Sequence, residues 1–332
     1  MSPAMRILVL LGFLLFGFGA SALELPYNKP INDQATLEQK LQGQTAMPDK
    51  RIQGFVHIPD QKERVLVQPL GRTWRDIRTR YQPWFDLALV VIAVGAMAAM
   101  YFFVGPMTYM RDPEGRKVKR FQWYERFVHW LTAASFIWLA LTGLNMVWGR
   151  GTLRHLIGDD AFAALSHWAK VSHNSVGFAF IVGLAIMILQ WFTENIPTRL
   201  DWVWIKTGGG MFGGAHPPAR KFNAGQKMIY WIALFGGGAI CLTGVALLLP
   251  FYGENIRAMQ GLQIAHSVIA ALMIAVIIGH IYLGSWGVSG SFDAMSTGYV
   301  DRSWAHEHHP LWLEEVDRKS GEPPSAASVP AE

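Results

Sequence analysis

Residues 265–286 read AHSVIAALMIAVIIGHIYLGSW. A stretch this apolar is long enough to cross a bilayer as a helix, which takes about 20 residues. It contains two histidines, His266 and His280, fourteen residues apart. At about 1.5 Å of rise per residue, their depths differ by about 21 Å, and nearly four whole turns place them on one helix face. Because an ionisable side chain at membrane depth is costly, the pair indicates a function.

Four further runs reach spanning length, and only the first carries an acidic residue, Asp86, at its mouth. With a composition of 51% hydrophobic and 16% charged residues, against about 25% charged in soluble domains, they predict an all-α integral membrane protein. The expected architecture is a four-helix transmembrane bundle within residues 116–290, preceded by one extra N-terminal transmembrane helix. The five predicted spans are 84–105, 127–148, 173–193, 227–250 and 263–287.

The termini and loops predict the topology. Residues 1–22 have the charged start, apolar stretch and small-residue end (Ala20-Ser21-Ala22) of a signal peptide, with a short uncleaved anchor as the alternative. Residues 23–83 then form an exported, periplasmic segment. Lys and Arg concentrate in residues 106–126, 194–226 and the tail 291–332, so these should be cytoplasmic. We therefore expect a multi-pass protein of the bacterial inner membrane.

The single cysteine, Cys241, excludes an intrachain disulfide, a cysteine-ligated iron–sulfur cluster and covalent haem attachment through CxxCH. The net charge of +5 comes mainly from basic residues that flank apolar runs. Membrane proteins use basic residues in this way, so we expect no nucleic-acid partner.

The predicted depths place four histidines in two pairs. His129 starts its helix on the cytoplasmic side, at the depth of His280, and His173 starts the next helix on the exported side, at the depth of His266. Neutral imidazole is a good axial ligand for haem iron, so each pair predicts one b-type haem. His167 is an alternative to His173.

Two glycines lie where a missing side chain would leave room for a flat haem ring. Gly143, fourteen residues after His129, and Gly177, one turn after His173, are expected to pack on haem, with ordinary helix packing as the alternative. The other histidines are interpreted as loop residues or, in the HEHH of the tail, as a solvated polar segment: His57, His155, His216, His306, His308 and His309.

Several stretches together resemble the gamma subunit of respiratory formate dehydrogenase, its membrane cytochrome b. They cover about 120–316 in the family's order: YERFVHW (124–130), SHNSVG (172–177), KFNAGQKMIYW (221–231), AHSVIAALMIAVIIGHIYLGSW (265–286) and SFDAMSTGYVDRSWAHEHHPLW (291–312). Residues 1–115 lie outside the resemblance. For the extra helix we weigh docking of partner subunits against a device that only sets topology.

The resemblance implies two haem b groups on the same histidine pairs and a menaquinone or ubiquinone site near the cytoplasmic pair, formed by Asn223, Gly225, Gln226 and His280. From the residues alone, Asn223 would be only a helix N-cap. The resemblance also implies an iron–sulfur beta subunit as electron donor and a molybdopterin alpha subunit that oxidises formate, since this chain has no formate-oxidising site. The chain would then be the electron-transfer, quinone-reducing subunit of the enzyme.

Two alternatives stay open. The cytochrome b subunit of a nickel–iron hydrogenase or of a thiosulfate-type reductase shares the architecture with other partners. A haem-free transporter that relays protons through intramembrane histidines would belong to a different class. It would normally have acidic residues at the midplane, and the last four predicted spans contain none.

Overall fold

The computed structural model describes residues 71–210, 217–250 and 256–321. The predicted signal peptide, most of the predicted exported segment, His57 and His216 lie outside these residues. In the described part, five helices are long and apolar enough to cross a membrane, which confirms the all-α membrane architecture. They are α1 (Thr73–Val104), α2 (Trp123–Trp148), α4 (Asp159–Trp191), α6 (Ala224–Leu248) and α7 (Ile256–Gly287).

Shorter elements connect and follow these spans. They are the helices α3 (Leu153–Ile157), α5 (Arg199–Lys206), α8 (Ser291–Ser296), α9 (Arg302–His308) and α10 (Pro310–Ser320), and the strands β1 (Lys117–Lys119) and β2 (Tyr299–Asp301). The two strands pair antiparallel, with Val118 opposite Val300, and so attach the segment before α2 to the segment after α7.

Three helices begin well before the apolar runs that revealed them, and the first of these, α1, starts at Thr73, eleven residues before its predicted span. Helix α4 starts at Asp159, so His173 lies four turns inside it, and α7 starts at Ile256, ten residues before His266. The expectation that these histidines start their helices is therefore wrong. The preceding residues include Lys170 and Arg257, which end an apolar run but do not end a helix. The helices of this chain are therefore longer than the apolar runs that they contain.

The extra helix α1 packs along α7 in the same direction. The Sδ of Met97 lies beside Gly279, and Met107 forms a parallel bridge with Val288. At its other end, the indole of Trp148 on α2 donates a hydrogen bond to the carbonyl of Pro83 at 3.2 Å. Helix α1 is therefore attached to both the first and the last helix of the bundle.

Residues 291–320 form a folded cap over one end of the bundle, which we call the cap. A cluster of buried side chains joins it to the segment before α2, to the end of α4 and to the start of α6. The expectation of a solvated polar HEHH segment is wrong, because His309 is only 1% exposed. The apolar members of this cluster are Val118, Phe121, Trp191, Phe222, Tyr230, Ala294, Val300, Trp304, Ala305, Trp312 and Leu313.

Candidate functional site

The four histidines form two pairs of facing rings inside the bundle. The ring centres of His173 and His266 are 6.3 Å apart, and those of His129 and His280 are also 6.3 Å apart. Metal–imidazole bonds are about 2 Å long, so two imidazoles on opposite sides of one metal ion have ring centres about 6 Å apart. Both pairs therefore have the spacing of axial ligands to a haem iron.

The rings of each pair are too far apart to bond each other directly. They are inclined at 68° in the His173–His266 pair and at 60° in the His129–His280 pair. The Nδ1 of His129 is buried and has no hydrogen-bond partner among the described residues. Two facing imidazoles at this separation leave room for one metal ion between them. These donor groups fit haem ligation.

Threonine hydroxyls hold the rings of the His173–His266 pair. The Oγ1 of Thr142 is 2.8 Å from Nδ1 of His173, and the Oγ1 of Thr243 is 2.9 Å from Nδ1 of His266. Each hydroxyl also donates its proton to a backbone carbonyl one turn back in its own helix, at 2.8 and 2.9 Å. Each therefore accepts from Nδ1–H, which leaves Nε2 of both histidines free for a metal.

Sequence reasoning missed these threonines, although the sequence carries a sign of them. The stretches LTGLN and LTGVA each contain a Thr-Gly pair, at 142–143 and 243–244. In both helices the threonine bonds the histidine of a neighbouring helix, and the glycine contacts the same ring. Both sides of this pair are therefore built from the same short motif.

The glycine neighbours of the rings differ in how closely they fit. A Cβ added to Gly143 would lie 3.6 Å from Cε1 of His173, an ordinary contact, whereas one added to Gly244 would lie 3.2 Å from Cε1 of His266. Gly143 is thus at the depth of the His173–His266 pair, fourteen residues from His129. A Cβ on Gly177 would meet nothing within 4 Å, which leaves room beside the helix for a flat group.

Competing histidines are excluded from the pairs by position. His167 packs edge-on against its neighbour Trp168, and His173 instead faces His266. Among the described residues, no cluster of three or more His, Cys, Asp or Glu side chains could hold a metal ion.

The residues expected at the quinone site also cap a helix. The side-chain oxygen of Asn223 accepts from the backbone N–H of Gln226 at 3.0 Å, and the side-chain oxygen of Gln226 accepts from the backbone N–H of Asn223 at 3.1 Å. This reciprocal capping box starts α6. A Cβ on Gly225 would lie 2.9 Å from the ring of Trp204, so close packing alone accounts for this glycine. The amide NH₂ groups remain the donors that a quinone carbonyl needs.

A buried arginine connects the capping box to the cap. The Arg120 guanidinium lies over the rings of Phe121, Trp304 and Trp312, at 5.0–5.4 Å from their centroids. It donates to the carbonyl of Lys221 at 2.6 Å and contacts the side-chain oxygen of Gln226 at 3.5 Å.

Burial lowers the pKa of the Arg120 guanidinium to about 9, so the group stays charged at neutral pH. A fixed positive charge therefore lies in a dry aromatic pocket at this end of the bundle, where its field is poorly screened. No sequence motif marks it, because its burial depends on residues almost 200 positions away.

Comparison with known proteins identifies the family of the chain. The family model described as prokaryotic cytochrome b561 matches residues 120–298. The chain is 27% identical over 221 residues to the nitrate-inducible formate dehydrogenase cytochrome b556(Fdn) subunit of Escherichia coli K12, covering 65% of this chain and 99% of that protein.

Two further relatives carry similar names. The chain is 30% identical over 202 residues to the formate dehydrogenase cytochrome b556(fdo) subunit of Escherichia coli K12, covering 60% of this chain and 92% of that protein. It is 26% identical over 200 residues to the formate dehydrogenase cytochrome b556 subunit of Haemophilus influenzae, covering 57% and 79%. Helix α1 lies outside the residues that the family model matches.

Proposed function

We propose that this chain, which belongs to the prokaryotic cytochrome b561 family and to the formate dehydrogenase cytochrome b556 subunits within it, binds two b-type haems and passes electrons across a membrane to a quinone. The observation that carries the proposal is the pair of equally spaced histidine couples, each at 6.3 Å. His266 and His280 lie fourteen residues apart on α7, so the two sites differ in depth by about 21 Å.

The proposed orientation follows from charge. The loops at the His129–His280 end and the segment after α7 carry most of the Lys and Arg residues near the spans, so this end, with the cap, faces the cytoplasm. The His173–His266 pair then lies on the exported side, together with the start of α1. An inactive alkaline phosphatase fused after Glu332 would support this orientation, and an active one would overturn it.

The proposed partners are an iron–sulfur beta subunit, which supplies electrons at the His173–His266 pair, and a molybdopterin alpha subunit that oxidises formate. Bound haem supplies single-electron chemistry at each pair. The chain's own residues hold the axial positions, fix the tautomers of two ligands and exclude water. Since the family is one of cytochromes, a haem-free transporter is no longer a competing reading.

The proposed quinone site lies at the start of α6. The NH₂ groups of Asn223 and Gln226 would donate to the quinone carbonyl at the depth of His280, and Gly225, packed on Trp204, would hold this turn of the helix in place. The capping box limits where a quinone could bind, because it fixes the directions of both side-chain oxygens. The two NH₂ groups therefore point in defined directions as well.

Haem stoichiometry tests the two-haem proposal. The purified wild-type chain should show a reduced-minus-oxidised b-type spectrum with two haems per chain, and His173→Ala should retain one. His167→Ala is the matched control, because it removes a histidine from the same helix outside both pairs. One haem in the wild-type chain, or equal loss in both variants, would contradict the proposal.

The electron donor is tested in membranes that contain the whole complex. Formate should reduce the haem, and hydrogen or thiosulfate-linked couples should not. Reduction by hydrogen without reduction by formate would favour the hydrogenase-type alternative.

The quinone site needs variants that preserve the helix cap. Asn223→Asp and Gln226→Glu keep the oxygens of the capping box and replace each NH₂ donor by a carboxylate oxygen, which cannot donate to a quinone. We expect normal haem content and a reduced rate of formate-dependent quinone reduction. An unchanged rate in both variants would remove these residues from the quinone site, while leaving the dihaem proposal intact.

A further inference from the structure

We propose that Thr142 and Thr243 give the metal site at the His173–His266 pair a lower reduction potential than the site at the His129–His280 pair, so that the chain itself biases electrons from the first pair to the second. This inference rests on the proposed dihaem function. With haem held at both pairs, a transfer would move one electron from the iron at the first pair to the iron at the second, so that one iron would be oxidised as the other is reduced, with no proton and no bond change.

The hydrogen bonds between the two threonines and the histidine rings have a defined direction. A threonine hydroxyl has one proton, and in both residues it bonds a carbonyl of the preceding helical turn. The histidine Nδ1 must therefore be the donor to the hydroxyl oxygen. The backbone carbonyls of Leu139 and Ile240 are further acceptors for these two rings. Both rings of this pair thus carry the proton on Nδ1.

The second step is the effect on the metal. A hydrogen bond from Nδ1–H makes the ring more basic at Nε2, which favours the more positive oxidation state of a bound metal. Second-shell hydrogen bonding of this kind is one of the protein's means of setting a haem potential. Since both ligands of the His173–His266 pair have such a bond, the ferric state is favoured there and the potential is lowered.

The third step is the contrast with the other pair. The Nδ1 of His129 is buried and has no partner among the described residues, so this ligand lacks the same support. Two arginines near that end, Arg120 and Arg126, donate to the backbone carbonyls of Lys221 and Ser296. Neither is within ion-pair distance of a carboxylate of the described residues. Their net positive charge disfavours the ferric state and raises the potential at this pair.

The test is a redox titration of the purified complex followed at the visible haem band. The wild type should titrate in two components, and the component lost in His173→Ala should be the one with the lower potential. Thr142→Val and Thr243→Val should each raise that component alone. We expect about a tenfold change in the ferric preference, at the low end of second-shell effects because the carbonyl acceptors stay. For a one-electron couple this is about 59 mV.

Thr132→Val is the matched control. Thr132 lies on the same helix as Thr142, is buried, and bonds only the carbonyl of Val128 in the described structure. It should leave both potentials unchanged. Thr142→Ser keeps the hydroxyl and should titrate like the wild type.

The possible results of the titration separate failure of this inference from failure of the dihaem function. A single component in the wild type would count against the dihaem function itself. Two components with the His173–His266 site at the higher potential, or an equal shift in Thr132→Val, would overturn the inference while leaving the function standing. If the valine variants lose one haem and Thr142→Ser retains both, the hydroxyl bond is supported. Loss in the serine variant as well would overturn the role of the hydroxyl.

Discussion

The cap is expected to open more easily as the pH falls, because it contains a buried neutral histidine. His309 is 1% exposed, its Nδ1 donates to the carbonyl of Arg220 at 2.6 Å, and its ring packs on Trp304. Burial, reinforced by the positive charges of Arg120 and His308, holds the pKa of His309 well below its usual value of 6.5. Protonation would bury a second positive charge near Arg120.

The sign and size follow from linkage. When the cap opens, His309 regains a pKa of about 6.5, so the open state binds more protons than the closed state below that pH. The free energy of opening is therefore constant above about pH 7 and falls as the pH drops below about 6.5. The slope is about 1.4 kcal/mol per pH unit, which amounts to about 2 kcal/mol at pH 5. The decline continues until the pH reaches the lowered pKa of the closed state.

Hydrogen–deuterium exchange measures this free energy locally. Exchange of peptides within 302–313, corrected for the intrinsic rate, should accelerate about thirtyfold between pH 7 and pH 5 in the wild type. His309→Asn keeps a donor for the Arg220 carbonyl without a titrating ring and should abolish most of that dependence. His306→Asn removes a neighbouring histidine of the same helix and should retain it. Equal pH dependence in all three proteins would refute the reasoning.

Two further predictions concern packing and charge. Gly244→Ala should displace the ring of His266 and reduce the haem content of that site, because the added Cβ would lie 3.2 Å from the ring. Gly143→Ala should be tolerated, because its added Cβ would lie 3.6 Å from the ring of His173, an ordinary contact. Pyridine haemochrome assays of both variants decide this. Lys227→Met should lower the free energy of unfolding by about 3 kcal/mol, because it removes the cation beside Asp201, a largely buried carboxylate that keeps only its hydrogen bonds from Thr198. The added change Asp201→Asn should restore most of the thermal stability in detergent, and a double variant as unstable as the single one would contradict this.

The sequence was sufficient to locate the histidine pairs because membrane depth follows from counting. His266 and His280 lie on one continuous helix, and the positions of His129 and His173 relative to them follow from charge and helix direction. Gly143 illustrates the precision of such counting, since it lies against His173 as its fourteen-residue spacing from His129 requires. A regular helix keeps the same rise and rotation per residue along its length, so positions counted in the sequence remain valid in the folded protein.

The cap could not be predicted in the same way. His309 and Arg120 are polar residues in polar segments, and nothing local distinguishes them from solvated neighbours. Arg120 is buried against Trp304 and Trp312, almost 200 residues later in the sequence, and His309 bonds the carbonyl of Arg220, 89 residues earlier. The start of α4 was missed for a related reason: polarity marks where a helix leaves the apolar part of the membrane, and Asp159 with the following turns continues the helix beyond it.

Helix α1 is not part of the family match, and its contacts bear on its role. The matched residues begin at 120, so a bundle with both histidine pairs is complete without α1, yet α1 packs on α7, which carries His266 and His280. Met97 lies beside Gly279, the residue next to His280, and Met107 pairs with Val288. If α1 served only to set topology, contact with lipid on that face of α7 would suffice. A complementary contact next to a ligand instead favours a role in stabilising the bundle, so deletion of 23–115 should lower the stability of the haem site as well as any assembly with partner subunits.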